Sequence, residues 1–202
     1  DLDSAGRLVS WVFLVATVWP LRAVMRSAMP GTRLDQLSAT LLLLSPLLVF
    51  WSRAFMIEST AVFFGVAFLA LALECWRRPR PLPIIALFAC AVLGALVKIT
   101  TFFGFGVAGA LLLAPRFFAS LRVEGIRRAL LLSLPAAGSV LVALLATQWW
   151  VHYSDALKDQ TIWGHLIGSE NLREWNFGTM AQKMDPAFWR DIVFGRAPKE
   201  IL

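Results

Sequence analysis

The sequence predicts an all-α fold, a polytopic membrane helix bundle of about six transmembrane helices followed by an extracytoplasmic C-terminal segment. Three observations carry this. Hydrophobic residues make up 58% of the 202-residue chain and charged residues only 16%, against roughly 45–50% and about 25% in soluble domains. The mean hydropathy of +0.69 excludes disorder as firmly as it excludes a water-soluble globule, because a disordered chain combines low hydrophobicity with high net charge. The basic residues, finally, gather in alternate gaps between the apolar runs.

A helix needs about 20 mostly apolar residues to cross about 30 Å of hydrocarbon. Leu8–Val24 is the first run near that length and holds Pro20. Leu37–Phe50 is short and holds Pro46, whereas Ser59–Trp76 is uninterrupted. Pro83–Val97 and Thr100–Ala114 are both short and are separated by a tight turn at Lys98. Ala129–Trp150 closes the series and holds Pro135. Membrane helices tolerate proline because neighbouring groups re-satisfy the freed carbonyl, so kinks are expected near these three prolines. Residues 1–150 thus form the bundle, and residues 151–202 form an aromatic-rich segment outside it.

Cytoplasmic loops retain Lys and Arg, which orients the bundle. Arg22, Arg26 and Arg33 follow the first span, Arg77, Arg78 and Arg80 the third, and Arg116, Arg122, Arg127 and Arg128 the fifth. These ten charges belong in the cytoplasm, against Arg7, Arg53 and Lys98 on the opposite side. The net charge of +6 is therefore a topology signal, and nucleic acid is excluded as a partner. Residues 151–202 are nearly neutral and are expected outside. Cys75 and Cys90 fall in or beside apolar stretches, with no disulfide framework and no metal or redox spacing. His152 and His165 lack the spacing of a metal pair, and no metal site is read. The chain opens on Asp1-Leu2-Asp3 and stops at Lys199-Glu200-Ile201-Leu202, which reads as an internal piece of a longer protein.

Ionisable groups at membrane depth are costly and count as functional hypotheses. In the outer turn Ser52-Arg53-Ala54-Phe55-Met56-Ile57-Glu58, Glu58 stands where the third span begins. A helix N-terminus favours a carboxylate. Glu58 reads either as a base or cation ligand or as a helix cap, and Arg53 as a functional cation or as an anchor snorkelling to the headgroups. Lys98 sits in Gly94-Ala95-Leu96-Val97-Lys98-Ile99-Thr100-Thr101, an apolar outer turn with two hydroxyls. An outward cation there calls for an anion, of which lipid phosphate is the commonest, or else it snorkels. Trp149, Trp150 and Tyr153 close the last span, and Trp163, Trp175 and Trp189 follow. They suit a membrane interface or a sugar-stacking surface. The stretch Trp175-Asn176-Phe177-Gly178-Thr179 reads as a turn in which glycine supplies a positive φ.

An outer Arg-x-x-x-x-acid turn opening a span, then a Gly-x-x-x-Lys turn about forty residues later, resembles the polytopic glycosyltransferases of the GT-C class. Within it the pattern is most similar to the family 39-like enzymes, which include protein O-mannosyltransferases and the bacterial lipid A aminoarabinose transferase. Ala5-Gly6-Arg7-Leu8-Val9-Ser10 also resembles the start of the span after their first outer loop. The resemblance covers residues 5 to 102. It implies transfer of a sugar from a polyprenyl-phosphate donor to an acceptor glycan, lipid or protein on the outer face, and the Arg/Ala/Leu/Trp-rich composition suits a bacterial inner membrane at least as well as an endoplasmic reticulum membrane. Glu58 would then be catalytic and Lys98 would hold the donor phosphate. Arg53 would be a second phosphate contact or would fix Glu58. The family's acidic residue in the first outer loop would precede Asp1, and Glu58 stands where the family often has Asp. The cofactor is left open, as is metal dependence. A transporter or flippase, and a non-catalytic membrane scaffold subunit, are the rival classes.

Overall fold

The computed structural model describes residues 1–46, 49–50, 57–161, 164, 168–169 and 178–191. All regular structure among them is helical: α1 (Leu2–Ala16), α2 (Val18–Ala28), α3 (Leu34–Leu44), α4 (Glu58–Arg77), α5 (Pro81–Val123), α6 (Ile126–Lys158), α7 (Met180–Met184) and α8 (Pro186–Arg190). Among the described residues, four stretches are long and apolar enough to cross a membrane, namely Ser4–Ala28, Glu58–Arg77, Pro81–Val123 and Ile126–Lys158. The chain divides into two compact units, Asp1–Gln148 and Trp149–Leu202.

In the first unit, the prolines act in three different ways. Pro20 lacks the amide that would bond to Ala16, and α1 passes into α2 just before it at Thr17, which stays in helical conformation. Pro46 has a stronger effect. It forces the residue before it out of the α region, so α3 stops at Ser45 in extended conformation (ψ 115°) instead of running on to Phe50 as a single helix. Pro135 breaks nothing, since α6 continues through it, and the kink expected there is not a break in the helix.

α5 is 43 residues long, yet it is not one rod, because Lys98 leaves helical conformation (φ −160°, ψ 93°). The contacts on either side show a reversal. A Cβ on Gly94 would lie 3.0 Å from the Phe102 ring and 3.3 Å from Phe64 Cβ, while one on Gly109 would lie 3.1 Å from Phe68 and 3.3 Å from Leu69. Gly65 faces the Phe105 ring. Contacts from 65 to 105 and from 68–69 to 109 rise together, so the second arm runs parallel to α4. The first arm is tied to the end of α4 by the three-residue link Arg78, Pro79 and Arg80 and therefore runs antiparallel to it. The tight Lys98 turn read between two apolar runs is this fold.

Phe13 packs with tilted rings against Phe63 at 5.2 Å and Phe64 at 5.7 Å, while Arg77 reaches the Ser27 carbonyl. α1 and α2 thus also run parallel to α4. The core gathers around α4 and both arms of α5, with Phe68, Leu73, Cys75, Leu87, Ala91 and Phe102 almost fully buried. Phe68 and Phe102 meet edge to face at 5.3 Å. Between apolar helices in lipid the driving force is close packing, not water exclusion, and small residues under bulky ones provide it. Gly138 of α6 joins the same scheme, its α-carbon covered by the Phe88 ring. At the end of α5, Glu124 and Gly125 both donate their amides to the Ser120 carbonyl, and Gly125 adopts φ +86° to turn the chain into α6.

In the second unit, the end of α6 carries Trp149 stacked on Tyr153 (5.7 Å, 8°) with Trp150 tilted against the same ring at 5.9 Å. Gly178 does take a positive φ of 65°. Thr179 and Gln182 form a reciprocal capping box at the start of α7.

Candidate functional site

Glu58 is the first residue of α4 and Lys98 is the reversal point of α5, so the hairpin of α4 with the first arm of α5 brings the two to one end of the bundle. Lys98 Nζ donates to Glu58 Oε1 at 2.7 Å. Each side chain is 36% exposed. The cap position itself belongs to Ile57, which makes no side-chain capping bond, and the Glu58 carboxylate reaches across to the lysine. The anion that Lys98 calls for is thus present within the chain. Arg53 lies outside the described residues, as do Trp163, His165 and Trp175.

The chemical capacity of this pair follows from its atoms. An ammonium has three N–H donors, one of which is on Glu58, and the carboxylate keeps its second oxygen as an acceptor. Thr100 is exposed and Thr101 half-buried just beyond the turn. A partly exposed ion pair adds only about 0–1 kcal/mol. Opening it to admit an anion at Lys98 therefore costs little, and the carboxylate so released can accept a proton. Among the described residues no group of three His, Cys, Asp or Glu could hold a metal ion.

The opposite end of the bundle contains a second charged cluster. Arg22 and Arg26, one turn apart on α2, both donate Nε to Asp35 Oδ2, at 3.2 and 2.8 Å. Burial alone pushes the Asp35 carboxyl up, but the hydrogen bonds from Arg26 and Arg22 outweigh it and hold it below the usual carboxylate range. Arg77 and Arg116 both donate to the Ser27 carbonyl, at 3.4 and 2.9 Å, the last turn of α2 being the place where a helix favours cations. The sequence reading assigned these arginines to topology and passed over Asp35. The signal was available, since Asp35 is the sole acid between Asp3 and Glu58 and follows arginines spaced i, i+4.

Comparison of the chain with models of known protein families, with curated proteins and with solved structures gives no match.

Proposed function

We propose that the chain is part of a membrane glycosyltransferase that moves a sugar from a polyprenyl-phosphate donor to an acceptor at the outer face of a bacterial inner membrane. The observation that carries the reading is the Lys98–Glu58 pair at 2.7 Å, at the end of the bundle away from the arginine clusters. Breaking the anomeric C–O bond leaves a polyprenyl phosphate whose charge grows in the transition state. A cation preorganised there is worth most at that moment. Lys98 takes that role, and Glu58, released from the ion pair, accepts the acceptor's proton. Arg53 is proposed as a second phosphate contact.

A scaffold reading draws on the same observation, because an ion pair joining the start of α4 to the fold of α5 can simply lock the hairpin. A transporter reading draws no such support from the described cavity between α4, α5 and α6, whose lining is apolar. The discriminating experiment is binding of a polyprenyl phosphate to the chain in nanodiscs. Lys98→Ala is expected to weaken it about tenfold or more, the scale of a lost charge-assisted hydrogen bond. Lys98→Arg should rescue it only in part, since a planar fork replaces a point charge. The exchange Glu58→Lys with Lys98→Glu keeps an ion pair. It should restore the melting temperature without restoring binding. Equal affinity in all variants, or recovery of binding by the exchange, would leave only the lock.

A further inference from the structure

The arginine-bearing end holds two features that sugar transfer does not use. One is a half-open cavity of about 550 Å³ in the side of the first unit, lined by Phe68 and Trp76 of α4, Gly106, Leu113 and Phe117 of α5 and Ala137 of α6, among others. Its size falls in the range of small-molecule sites, about 300–1,000 Å³. The lining is hydrocarbon and aromatic; its single hydroxyl, Ser133, donates to the Leu130 carbonyl at 2.9 Å. The other feature is the pair Arg77 and Arg116 on the Ser27 carbonyl. Unlike Arg22 and Arg26, neither has a carboxylate partner among the described residues. Their contacts occupy one N–H of Arg77 and at most three of Arg116, out of five on each guanidinium.

The two features share α4 and α5: Trp76 and Phe117 of the cavity wall are the chain neighbours of Arg77 and Arg116, and Leu113 of the wall lies one helical turn before Arg116. We propose that this end of the bundle binds one anionic phospholipid, its phosphate on Arg77 and Arg116 and one acyl chain in the cavity. Charge and polarity select this occupant. A zwitterionic lipid brings a phosphate but also an ammonium that opposes the two guanidiniums, and a free phosphate would leave the cavity unfilled. A peptide would bury backbone groups against a wall that offers them no partner. The proposal rests on the chain spanning a membrane and is independent of glycosyl transfer.

Native mass spectrometry of the full chain from detergent tests it, with phosphatidylglycerol and phosphatidylcholine of the same acyl chains as probes. One phosphatidylglycerol per chain should be retained, roughly tenfold or more in preference to phosphatidylcholine, from two arginines near the membrane surface. Arg77→Gln should cut that ratio to roughly threefold, and Arg77→Gln combined with Arg116→Gln should bring it close to one. A Cβ on Gly106 meets nothing within 4 Å, so Gly106→Leu has room to enter and narrows the cavity. It should weaken retention of both lipids while the melting temperature in lipid-free detergent does not fall. Equal retention of the two lipids, wild-type retention by Gly106→Leu, or full displacement by inorganic phosphate would each overturn the proposal. Failure of polyprenyl phosphate to bind would not touch it, since that probe reports on the Lys98 end.

Discussion

At the scale of single residues, charge is used in two ways in this chain. Lys98 and Glu58 are partly exposed and weakly held, which suits exchange with a ligand, whereas Asp35 is almost buried (8% of its side chain exposed) and gripped by two guanidiniums. Removing Asp35 would leave Arg22 and Arg26 facing each other. Because its folded pKa is depressed, its stabilising contribution is present above the unfolded value of about 3.9 and disappears as the pH falls through the lower folded value. Thermal melting in detergent across pH should therefore show the wild type losing stability below about pH 4. Asp35→Asn should melt lower than the wild type at neutral pH and decline less on acidification. Parallel curves for the two proteins would contradict this role. Lys98 was legible in the sequence because it breaks the charge rule. Asp35 was passed over although its signal was present, because its partners obey that rule and so attracted no further question.

At the scale of elements, glycines under phenylalanine rings fix the spacing of the helices. Gly65 faces Phe105, Gly94 faces Phe102, Gly109 faces Phe68 and Gly138 faces Phe88. A methyl group at Gly65 would occupy the space of the Phe105 ring, so Gly65→Ala should destabilise the bundle by about 1–3 kcal/mol, the usual cost of overpacking. Gly104→Ala provides the control. Its added Cβ meets nothing within 4 Å, and alanine favours a helix by up to about 1 kcal/mol over glycine. Melting of both variants in one detergent checks the pair; similar loss in the two would remove the special role of Gly65. Hydropathy located the elements well, since length and polarity suffice for that. It could not supply the ring-over-glycine pairings, which depend on which faces of α4 and α5 meet after the reversal at Lys98. Nor could it tell that Pro46 would end a helix and Pro135 would not, because that depends on local backbone geometry.

At the scale of the whole molecule, the described charges of the first unit sort to two ends. Arg22, Arg26, Arg77 and Arg116 share one, and Glu58 and Lys98 share the other. The proposed orientation places the first end in the cytoplasm. On a cysteine-free background in right-side-out vesicles, single cysteines at Ile57 and Thr101 should react with a membrane-impermeant maleimide. Cysteines at Gly31 and Gly125 should react only after permeabilisation. Labelling of Gly125 and Ile57 from the same side would refute the assignment. The gathering of these arginines at one end was readable from their spacing alone, whereas the cavity was not, since its walls come from helices far apart in sequence.

The reversal of α5 at Lys98 also bears on how such a chain enters a bilayer. Neither arm can be inserted without deciding where the lysine goes, and carrying an unpaired lysine to the centre of a membrane costs about 2.5–3.5 kcal/mol on insertion scales. Synthesis proceeds from the N-terminus, so the carboxylate at the head of α4 is delivered before the lysine is made. The partner then waits on the far side, and the two arms of α5 can enter together as one hairpin with their charged tip drawn toward it. The order of residues along the chain is in this sense also an order of assembly, with Glu58 as the receiving post for the segment that follows.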